Sequence, residues 1–378
     1  MEQHSQKKPA QVLPKLAAKA GQLAGGALVG VLIATYIIRE DVAFSLNGVV
    51  YLLFVMLFSI ILSVMIHETG HAIGGKLGGM EVMNLSYGPF VYAKVNGRKR
   101  FFFRLPALGY LGRAMMRFPE PIPERDMRKK LLRFIYAGPI SNLVIGIPAV
   151  AAAYLIWPSG ALLIFGVINL FFGLTNLANV ETAAGAQSDG RVIAMLKGKE
   201  QGAEVLLVSY QLLQEDPQAM GRWSRETIEK TVRVIEHFED WPLASSLLST
   251  IGPYYYTSNP ERFLELTEGR VFQPRSKQGV ILQDMMDVAA AAGLYFAGKL
   301  KDEENIEEKL QLITDREPVS RHLRDAYLAI VRDQNEKALA ALDQVEAAIG
   351  EWHPLYLEGT ALHQLTNEMR NRLSLETY

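Results

Sequence analysis

The sequence predicts a mostly α-helical fold, in which a polytopic membrane helix bundle of about four spans, with a small membrane-associated β-hairpin, precedes an α-helical cytoplasmic domain. Three observations carry this prediction. All the long apolar stretches of the 378 residues fall before residue 181. The second half is charged and carries apolar residues at helical spacing. Between the second and third apolar stretches, Asn96-Gly97 separates two runs of β-favouring residues.

Four segments are long and apolar enough to cross a bilayer, at about 22–38, 48–75, 134–157 and 161–180. The first is the shortest and also has the length of a signal peptide. Its polar lead of about twenty residues is long, and no small-x-small cleavage site follows Ile38, so we predict a signal anchor. The resulting domains are a cytoplasmic lead, a membrane domain and a cytoplasmic helical domain, at 1–21, 22–190 and 191–378.

Basic residues predict the orientation of these spans. Four lysines precede the first span, and 13 Lys or Arg residues lie between the second and third spans. The short connections at 39–47 and 158–160 hold only Arg39. The positive-inside rule therefore predicts that both termini and the long linker are cytoplasmic.

One short motif indicates chemistry. His67-Glu68-Thr69-Gly70-His71 lies at the end of the apolar stretch 49–66. Residues i and i+4 share a helix face, so His67 and His71 can ligate one metal ion while Glu68 lies beside it as a general base. The pentad also arises by chance, but ionisable side chains in or near lipid are costly and are functional candidates by default.

The predicted topology also indicates where a third ligand comes from. The second and fourth spans both run inward, so residues just past the fourth span lie at the depth of the pentad. Two histidines and a carboxylate are a ligand set of catalytic zinc that leaves the fourth position open for water. An Asp before Gly is often only a turn residue, so several candidates stay open. They are Asp189, Glu181, Asp126 and Glu124.

The motifs taken in order resemble the site-2 protease family of intramembrane zinc metalloproteases. Three blocks carry the resemblance, and together they cover residues 48–191: His67-Glu68-Thr69-Gly70-His71, Ala137-Gly138-Pro139-Ile140-Ser141-Asn142, and Asn176 with Asp189-Gly190. The stretch from Phe103 to Tyr110 is a weaker likeness. The chain departs from the family pattern at Asn179, where many members have proline, and in the longer segment 181–188.

The resemblance implies a zinc ion held by His67, His71 and Asp189, with Glu68 as the base. It also implies that Asn142 and Asn176 hold the substrate backbone, although a buried Asn can instead bridge two membrane helices. The implied activity is that of a zinc-dependent intramembrane endopeptidase that hydrolyses a peptide bond in a transmembrane segment near the cytoplasmic side. The expected partners are the lipid bilayer and a membrane-anchored protein or peptide, for a multi-pass protein of a bacterial cell membrane.

Residues 89–104 predict the β-hairpin, because Asn96-Gly97 is a strong two-residue turn signal. Such a hairpin could offer an edge strand to an unwound substrate by β-augmentation. The alternative is a structural ribbon whose Arg98-Lys99-Arg100 rests on anionic headgroups.

The C-terminal half predicts successive amphipathic helices, broken at four X-Pro pairs: Asp216-Pro217, Asn259-Pro260, Glu317-Pro318 and His353-Pro354. Tyr295-Phe296-Ala297 recurs 32 residues later as Tyr327-Leu328-Ala329. This spacing hints at tetratricopeptide-like hairpins, and the alternative is a plain helical bundle. Either would be an interaction module for a protein substrate or regulator.

Other classes of function fit less well. The net charge of −1 gives no reason to expect nucleic acid as a partner, and the absence of cysteine excludes thiolate chemistry and cysteine zinc ligands. A non-proteolytic membrane scaffold that acts through its cytoplasmic helical domain is the alternative, and the intact Glu68 argues against it. A metal transporter would need a site near the midplane between repeated halves.

Overall fold

The structure is a computed structural model, and it describes residues 30, 46–95, 98–103, 112–179, 187–198, 201–215, 223–237, 242–272, 280–352 and 357–375. The chain divides into two compact units, residues 1–200 and 201–378. Apart from Gly30, the predicted first span at 22–38 lies outside the described residues. The boundary predicted at 190 and the presence of a fourth span stay predictions.

Within the described residues, three helices are long and apolar enough to cross a membrane, α1 (Leu46–Leu77), α2 (Glu124–Leu155) and α3 (Gly160–Leu177). They correspond to the predicted second, third and fourth spans. The span predicted at 134–157 begins ten residues into α2, because the first ten residues of this helix are mostly charged and lower the local hydropathy. Met127, Leu131 and Phe134 repeat at helical spacing and are buried, and this packing extends the helix outward from its apolar part.

The three helices pack closely on one another. On α1, a Cβ atom added at Gly70 would lie 2.3 Å from Ser141 Oγ and 2.5 Å from the Ala137 carbonyl oxygen of α2. Only glycine permits this approach of the two helices, which is a common use of glycine in membrane helix contacts. Val55 of α1 packs against Ile164 and Ile168 of α3. The end of α1 that carries the His-Glu-x-x-His motif is therefore held against α2.

A turn at Gly78-Gly79 ends α1 and leads into the sheet. The Gly78 amide donates to the Gly74 carbonyl at 3.1 Å, and Gly79 adopts a left-handed conformation with φ of 80°. These are the contacts of a glycine-terminated helix. The chain then reverses directly into the first strand.

The sheet has four antiparallel strands, β1 (Glu81–Tyr87), β2 (Phe90–Val95), β3 (Arg98–Phe103) and β4 (Gly112–Arg117), in the order β3-β2-β1-β4. The predicted β-hairpin is confirmed as β2 and β3, with Phe90 opposite Phe103 and Val95 opposite Arg98. Its turn, Asn96-Gly97, lies outside the described residues. The sequence analysis missed β1 and β4, although Gly88-Pro89 is a turn signal between β1 and β2.

The two faces of the hairpin differ in exposure. Ala93 of β2 is fully buried and lies opposite the buried Asn84 of β1. Phe90, Phe101 and Phe103 are 60, 82 and 71% exposed. One face therefore packs into the unit, and these three phenylalanines lie at its surface.

A short helix, α4 (Asp189–Gly198), completes the described part of the first unit. The second unit is helical throughout its described residues. Its helices are α5 (Gln201–Leu212), α6 (Arg225–His237), α7 (Pro242–Ser258), α8 (Pro260–Thr267), α9 (Val280–Phe296), α10 (Ile306–Gln311), α11 (Pro318–Val331), α12 (Asn335–Trp352) and α13 (Leu357–Leu375).

Two of the predicted X-Pro breaks begin helices in this unit. Asn259 caps α8, since its side chain accepts from the Arg262 amide at 3.1 Å. Glu317 caps α11 by accepting from the Val319 and Ser320 amides. The breaks at 216–217 and 353–354 lie outside the described residues. The tetratricopeptide-like arrangement stays a prediction.

The second unit has its own hydrophobic core, which runs from Val205 to Leu373 and includes the fully buried Tyr327. A buried carboxylate fixes one of its turns. Asp284 is fully buried on α9 and accepts hydrogen bonds from both the amide and the hydroxyl of Thr314. Burial of a charge is tolerated only with such partners.

We expect the fragment 201–378 to fold alone and Asp284→Ala to destabilise it, because Thr314 would lose both acceptors. The cost of leaving such groups unpaired is about 1–3 kcal/mol, which lowers the midpoint by roughly 2–4 °C per kcal/mol. The measurement is thermal unfolding by circular dichroism. Asp343→Ala is the matched control, since that side chain is 71% exposed and pairs with Arg370 at the surface. Equal midpoints for the two variants would contradict the assigned role of Asp284.

Candidate metal centre

The two histidines of the pentad face the same side of α1. His67 and His71 are 8% and 5% exposed, and their Nε2 atoms lie 3.1 Å apart. Their rings meet edge to face, with centroids 4.7 Å apart. The spacing of four residues therefore brings two potential ligand atoms together, as the sequence predicted.

Helix α4 brings Asp189 to this pair, and both of its ends are anchored. At its N-terminus, Ser188 Oγ accepts from the Arg191 amide at 3.2 Å and donates to the carbonyl of Ala178, which follows α3. At its C-terminus, Arg128 of α2 donates to the Leu196 carbonyl at 2.8 Å, where a cation is favourable. Asp189 therefore occupies the first turn of a helix that is fixed against both α2 and α3.

Three ligand atoms converge at this point. Asp189 Oδ2 lies 3.0 Å from His67 Nε2 and 3.4 Å from His71 Nε2. One ligand atom from each of the three residues lies within 4.8 Å of the others. Two of the other carboxylates that the sequence left open lie elsewhere. Glu124 and Asp126 are in the first turn of α2, and Glu181 lies outside the described residues.

The hydrogen bonds of the two imidazole rings determine which ring nitrogen carries the proton and which one is free to bind a cation. His67 Nδ1 contacts Asn142 Oδ1 at 2.7 Å, and His71 Nδ1 contacts the Phe134 carbonyl oxygen at 2.9 Å. Both partners can only accept, so each Nδ1 carries the proton and each neutral ring has its lone pair on Nε2. Asp189 Oδ2 is buried and has no hydrogen-bond donor among the described residues. Three acceptor atoms therefore face one another, which is the arrangement that a bound cation satisfies.

The chemical types of these three ligand atoms also indicate which cation fits the site. Two imidazole nitrogens and one carboxylate oxygen are the protein ligands of a catalytic zinc site with one open position. Each histidine donates its other ring proton to an oxygen, as metal-ligating histidines nearly always do. The residues present therefore fit zinc, and His67, His71 and Asp189 would hold it.

Comparison with known proteins agrees with this geometry. A family model for peptidase family M50 matches residues 55–238. This stretch is therefore similar to peptidase family M50, the site-2 protease family. Proteins of this family are intramembrane metallopeptidases in general. No curated protein and no solved structure matches the chain significantly. The M50 match includes both histidines, Asp189 and the whole sheet.

Glu68 lies beside the three candidate ligands. It is 8% exposed and close enough to His67, His71 and Asp189 to interact electrostatically with all three. The Ala114 amide of β4 donates a hydrogen bond to its carboxylate. A Cβ atom added at Gly112 of β4 would lie 2.7 Å from Glu68 Oε1. Strand β4 is therefore part of the site, and sequence reasoning missed it because this contact depends on the folded sheet.

The two asparagines that the resemblance singled out are placed differently. Asn142 is fully buried on α2, in contact with His67. Asn176 donates from Nδ2 to the Phe172 carbonyl one turn earlier on α3, at 3.0 Å, and no hydrogen bond joins it to the three ligands among the described residues. Contact of either residue with substrate stays a prediction.

Gly138 of α2 makes room for His71. A Cβ atom at this position would lie 2.3 Å from His71 Nε2, the ligand atom itself, and 2.5 Å from Cε1. The imidazole thus lies directly against the helix backbone of α2. This close approach explains the glycine in the Ala137-Gly138-Pro139 block of this chain.

Gly138→Ala is expected to displace the His71 ring and to abolish stoichiometric zinc binding. The matched control is Gly146→Ala on the same helix, where the added Cβ would meet Leu170 and the Gly166 carbonyl, far along the helix from the site. The measurement is zinc per protein in monodisperse detergent-purified samples, by elemental analysis. Full zinc occupancy in Gly138→Ala would show that the ring can move without loss of the site.

Proposed function

We propose that this chain is a zinc-dependent intramembrane endopeptidase that hydrolyses a peptide bond in a transmembrane segment of a membrane-anchored protein or peptide. The observation that carries the proposal is the convergence of three buried acceptor atoms, from His67, His71 and Asp189, at one end of a membrane-length helix. The family match supports it, since the family implies metallopeptidase activity. The scaffold alternative has no use for this arrangement.

Zinc held by these ligands would supply Lewis-acid chemistry, which polarises the scissile carbonyl and lowers the pKa of water to about 7. Glu68 accepts a proton from the water that attacks the carbonyl carbon. It then donates this proton to the amide nitrogen as the C–N bond breaks. The Ala114 amide holds the Glu68 carboxylate through a hydrogen bond and so orients it for both transfers.

A helical substrate hides its carbonyl groups in its own hydrogen bonds and must unwind before it reacts. The two outer strands of the sheet are β3 and β4, and β4 is the one that contacts Glu68. We propose that an unwound substrate segment lies along this edge, where backbone hydrogen bonds replace those of its helix. The hairpin formed by β2 and β3 is at the opposite side of the sheet and exposes Phe101 and Phe103.

The distribution of basic residues supports a cell-membrane location with both termini in the cytoplasm. On this topology α1 runs inward, and cleavage takes place near the cytoplasmic side of the substrate. The helical second unit then lies in the cytoplasm as well. We propose that it binds a protein partner, either the substrate or a regulator, because its nine described helices form a hydrophobic core of their own.

Glu68→Gln is expected to lower the rate of cleavage at least about a hundredfold, which is the lower end of the range for loss of a general base. Zinc binding should be retained. The measurement compares new peptide termini, by quantitative mass spectrometry, in cells that make the wild-type chain and in cells that make the variant. Termini specific to the wild type should map to the cytoplasmic end of transmembrane segments.

This variant separates loss of the base from loss of the metal, because its amide is close to the carboxylate in size and the three proposed ligands are unchanged. Equal abundance and equal zinc content of the two proteins must be shown first. If no terminus differs between two abundant, zinc-loaded proteins, the scaffold reading replaces the protease.

The third ligand has its own test. We expect Asp189→Asn to lower zinc affinity by a factor of about 10 to 100 or more, because a neutral amide replaces the charged oxygen that both imidazoles face. Asp126→Asn and Glu124→Gln, which change the rival carboxylates of α2, should bind zinc as the wild type does. Chelator competition in detergent measures all three. Loss of zinc in either α2 variant, with Asp189→Asn unaffected, would reassign the ligand.

A further inference from the structure

A polar network joins the three membrane helices behind the metal centre. Asn142 of α2 is fully buried, and its side-chain amide makes three hydrogen bonds. Oδ1 contacts His67 Nδ1 of α1 at 2.7 Å. Nδ2 donates to the Ser63 carbonyl of α1 at 2.9 Å and to Asn169 Oδ1 of α3 at 2.9 Å. One side chain therefore contacts both neighbouring helices and a candidate ligand.

The two donated bonds fix which way the Asn142 amide faces. Ser63 and Asn169 present oxygens, so the NH₂ group of Asn142 must point toward them. A flipped amide would place its oxygen against two oxygens and its NH₂ group against the protonated Nδ1 of His67. The unflipped orientation leaves Oδ1 as an acceptor for the His67 ring. The orientation of the His67 imidazole thus depends on the contacts that Asn142 makes with Ser63 and Asn169.

Asn169 extends the network by one more step. It is fully buried on α3, and its Nδ2 donates to the Phe165 carbonyl of its own helix at 2.9 Å. This bond turns Asn169 Oδ1 toward Asn142. The order of contacts runs from the α3 backbone through Asn169 and Asn142 to His67, and every donor along it has an acceptor.

We propose that Asn142 is a positioning residue, which holds the His67 imidazole with its proton on Nδ1 and its Nε2 lone pair aimed at the metal. This inference rests on the proposed function, since it assigns the support of the same metal site. Asn169 holds the Asn142 amide in its orientation and so acts on His67 through Asn142. Outer contacts of this kind typically change metal affinity by about 10- to 100-fold.

The resemblance to site-2 proteases had placed Asn142 against the substrate backbone instead. The Asn142 amide is buried and already has hydrogen-bond partners, and both facts argue for the positioning role. The side chain has no exposed surface, and both of its NH₂ hydrogens are already donated. A substrate carbonyl could be bound only by breaking one of these bonds inside the helix bundle. The two roles also differ in what a substitution would change.

The test measures zinc affinity without any cleavage, in the full chain with Glu68→Gln, by chelator competition in detergent. Asn142→Leu removes the acceptor while keeping a similar volume, and we expect zinc to bind about 10- to 100-fold more weakly. Asn142→Asp keeps an acceptor for His67 but loses the donors to the Ser63 carbonyl and to Asn169 Oδ1, so we expect its zinc affinity to lie between those of the parent and of Asn142→Leu. Asn169→Ala removes the support of Asn142 without touching a ligand, and we expect a smaller loss of affinity.

A second readout separates positioning from substrate contact. In the chain with Glu68 intact, the cleavage rate of Asn142→Leu should recover when zinc is raised to saturation, because the lost step is metal binding. A substrate contact would instead leave zinc affinity unchanged and raise KM at any zinc concentration. Asn142→Leu that binds zinc as tightly as the parent overturns the inference and leaves the proposed function intact.

The failures of the two proposals are distinguishable. If the parent chain itself binds no zinc, the proposed function fails and this inference fails with it. If Asn142→Leu does not yield monodisperse protein, Asn169→Ala carries the test, since its change lies two contacts from the metal ligand. A zinc affinity in Asn169→Ala equal to that of the parent chain then overturns the positioning role.

Discussion

The burial of three acceptor atoms against one another is the constraint on which the first unit depends. His67 Nε2, His71 Nε2 and Asp189 Oδ2 lie together, and in neutral rings that donate from Nδ1 both Nε2 atoms are acceptors. Without a cation such a cluster opposes folding, since buried polar groups without partners are costly. Other contacts must therefore hold the three side chains in place. They are the approach of α1 to α2 at Gly70, the anchoring of α4 at both ends, and the buried amide of Asn142.

The anchoring of α4 shows how the site can be rigid although its third ligand comes from a short helix. A helix of ten residues has little stability of its own. Its N-terminal cap at Ser188 reaches the end of α3, and its C-terminal carbonyl at Leu196 is bound by Arg128 of α2. Arg128 belongs to the charged segment at the start of α2, outside the apolar part. The charged segment that precedes the apolar part of α2 thus supplies Arg128, which helps to position the helix that carries Asp189.

The sequence revealed the local part of the site more fully than the assembled part. His67, Glu68 and His71 follow from the period of an α-helix, so spacing alone brings them together. Asp189 became a candidate through chain topology, and the resemblance separated it from Glu124 and Asp126. The contacts of Ala114 with Glu68 and of Asn169 with Asn142 have no sequence signal, because each joins elements whose pairing is decided by packing. The hairpin of β2 and β3 was predicted from its turn, whereas β1 and β4 depend on pairing across a longer separation.

Metal binding and helix packing are linked in such a site. The ligands come from α1 and α4, and the groups that orient them come from α2 and α3, so a cation binds fully only when all four helices are in place. A ligand that binds only the folded state stabilises it by about 2.7 kcal/mol at a concentration one hundred times its Kd. Zinc would therefore replace the mutual repulsion of three acceptors with a shared attraction. It follows that the polar network behind His67 affects both the chemistry at the site and the stability of the bundle, because the same hydrogen bonds orient the ligand and join the helices.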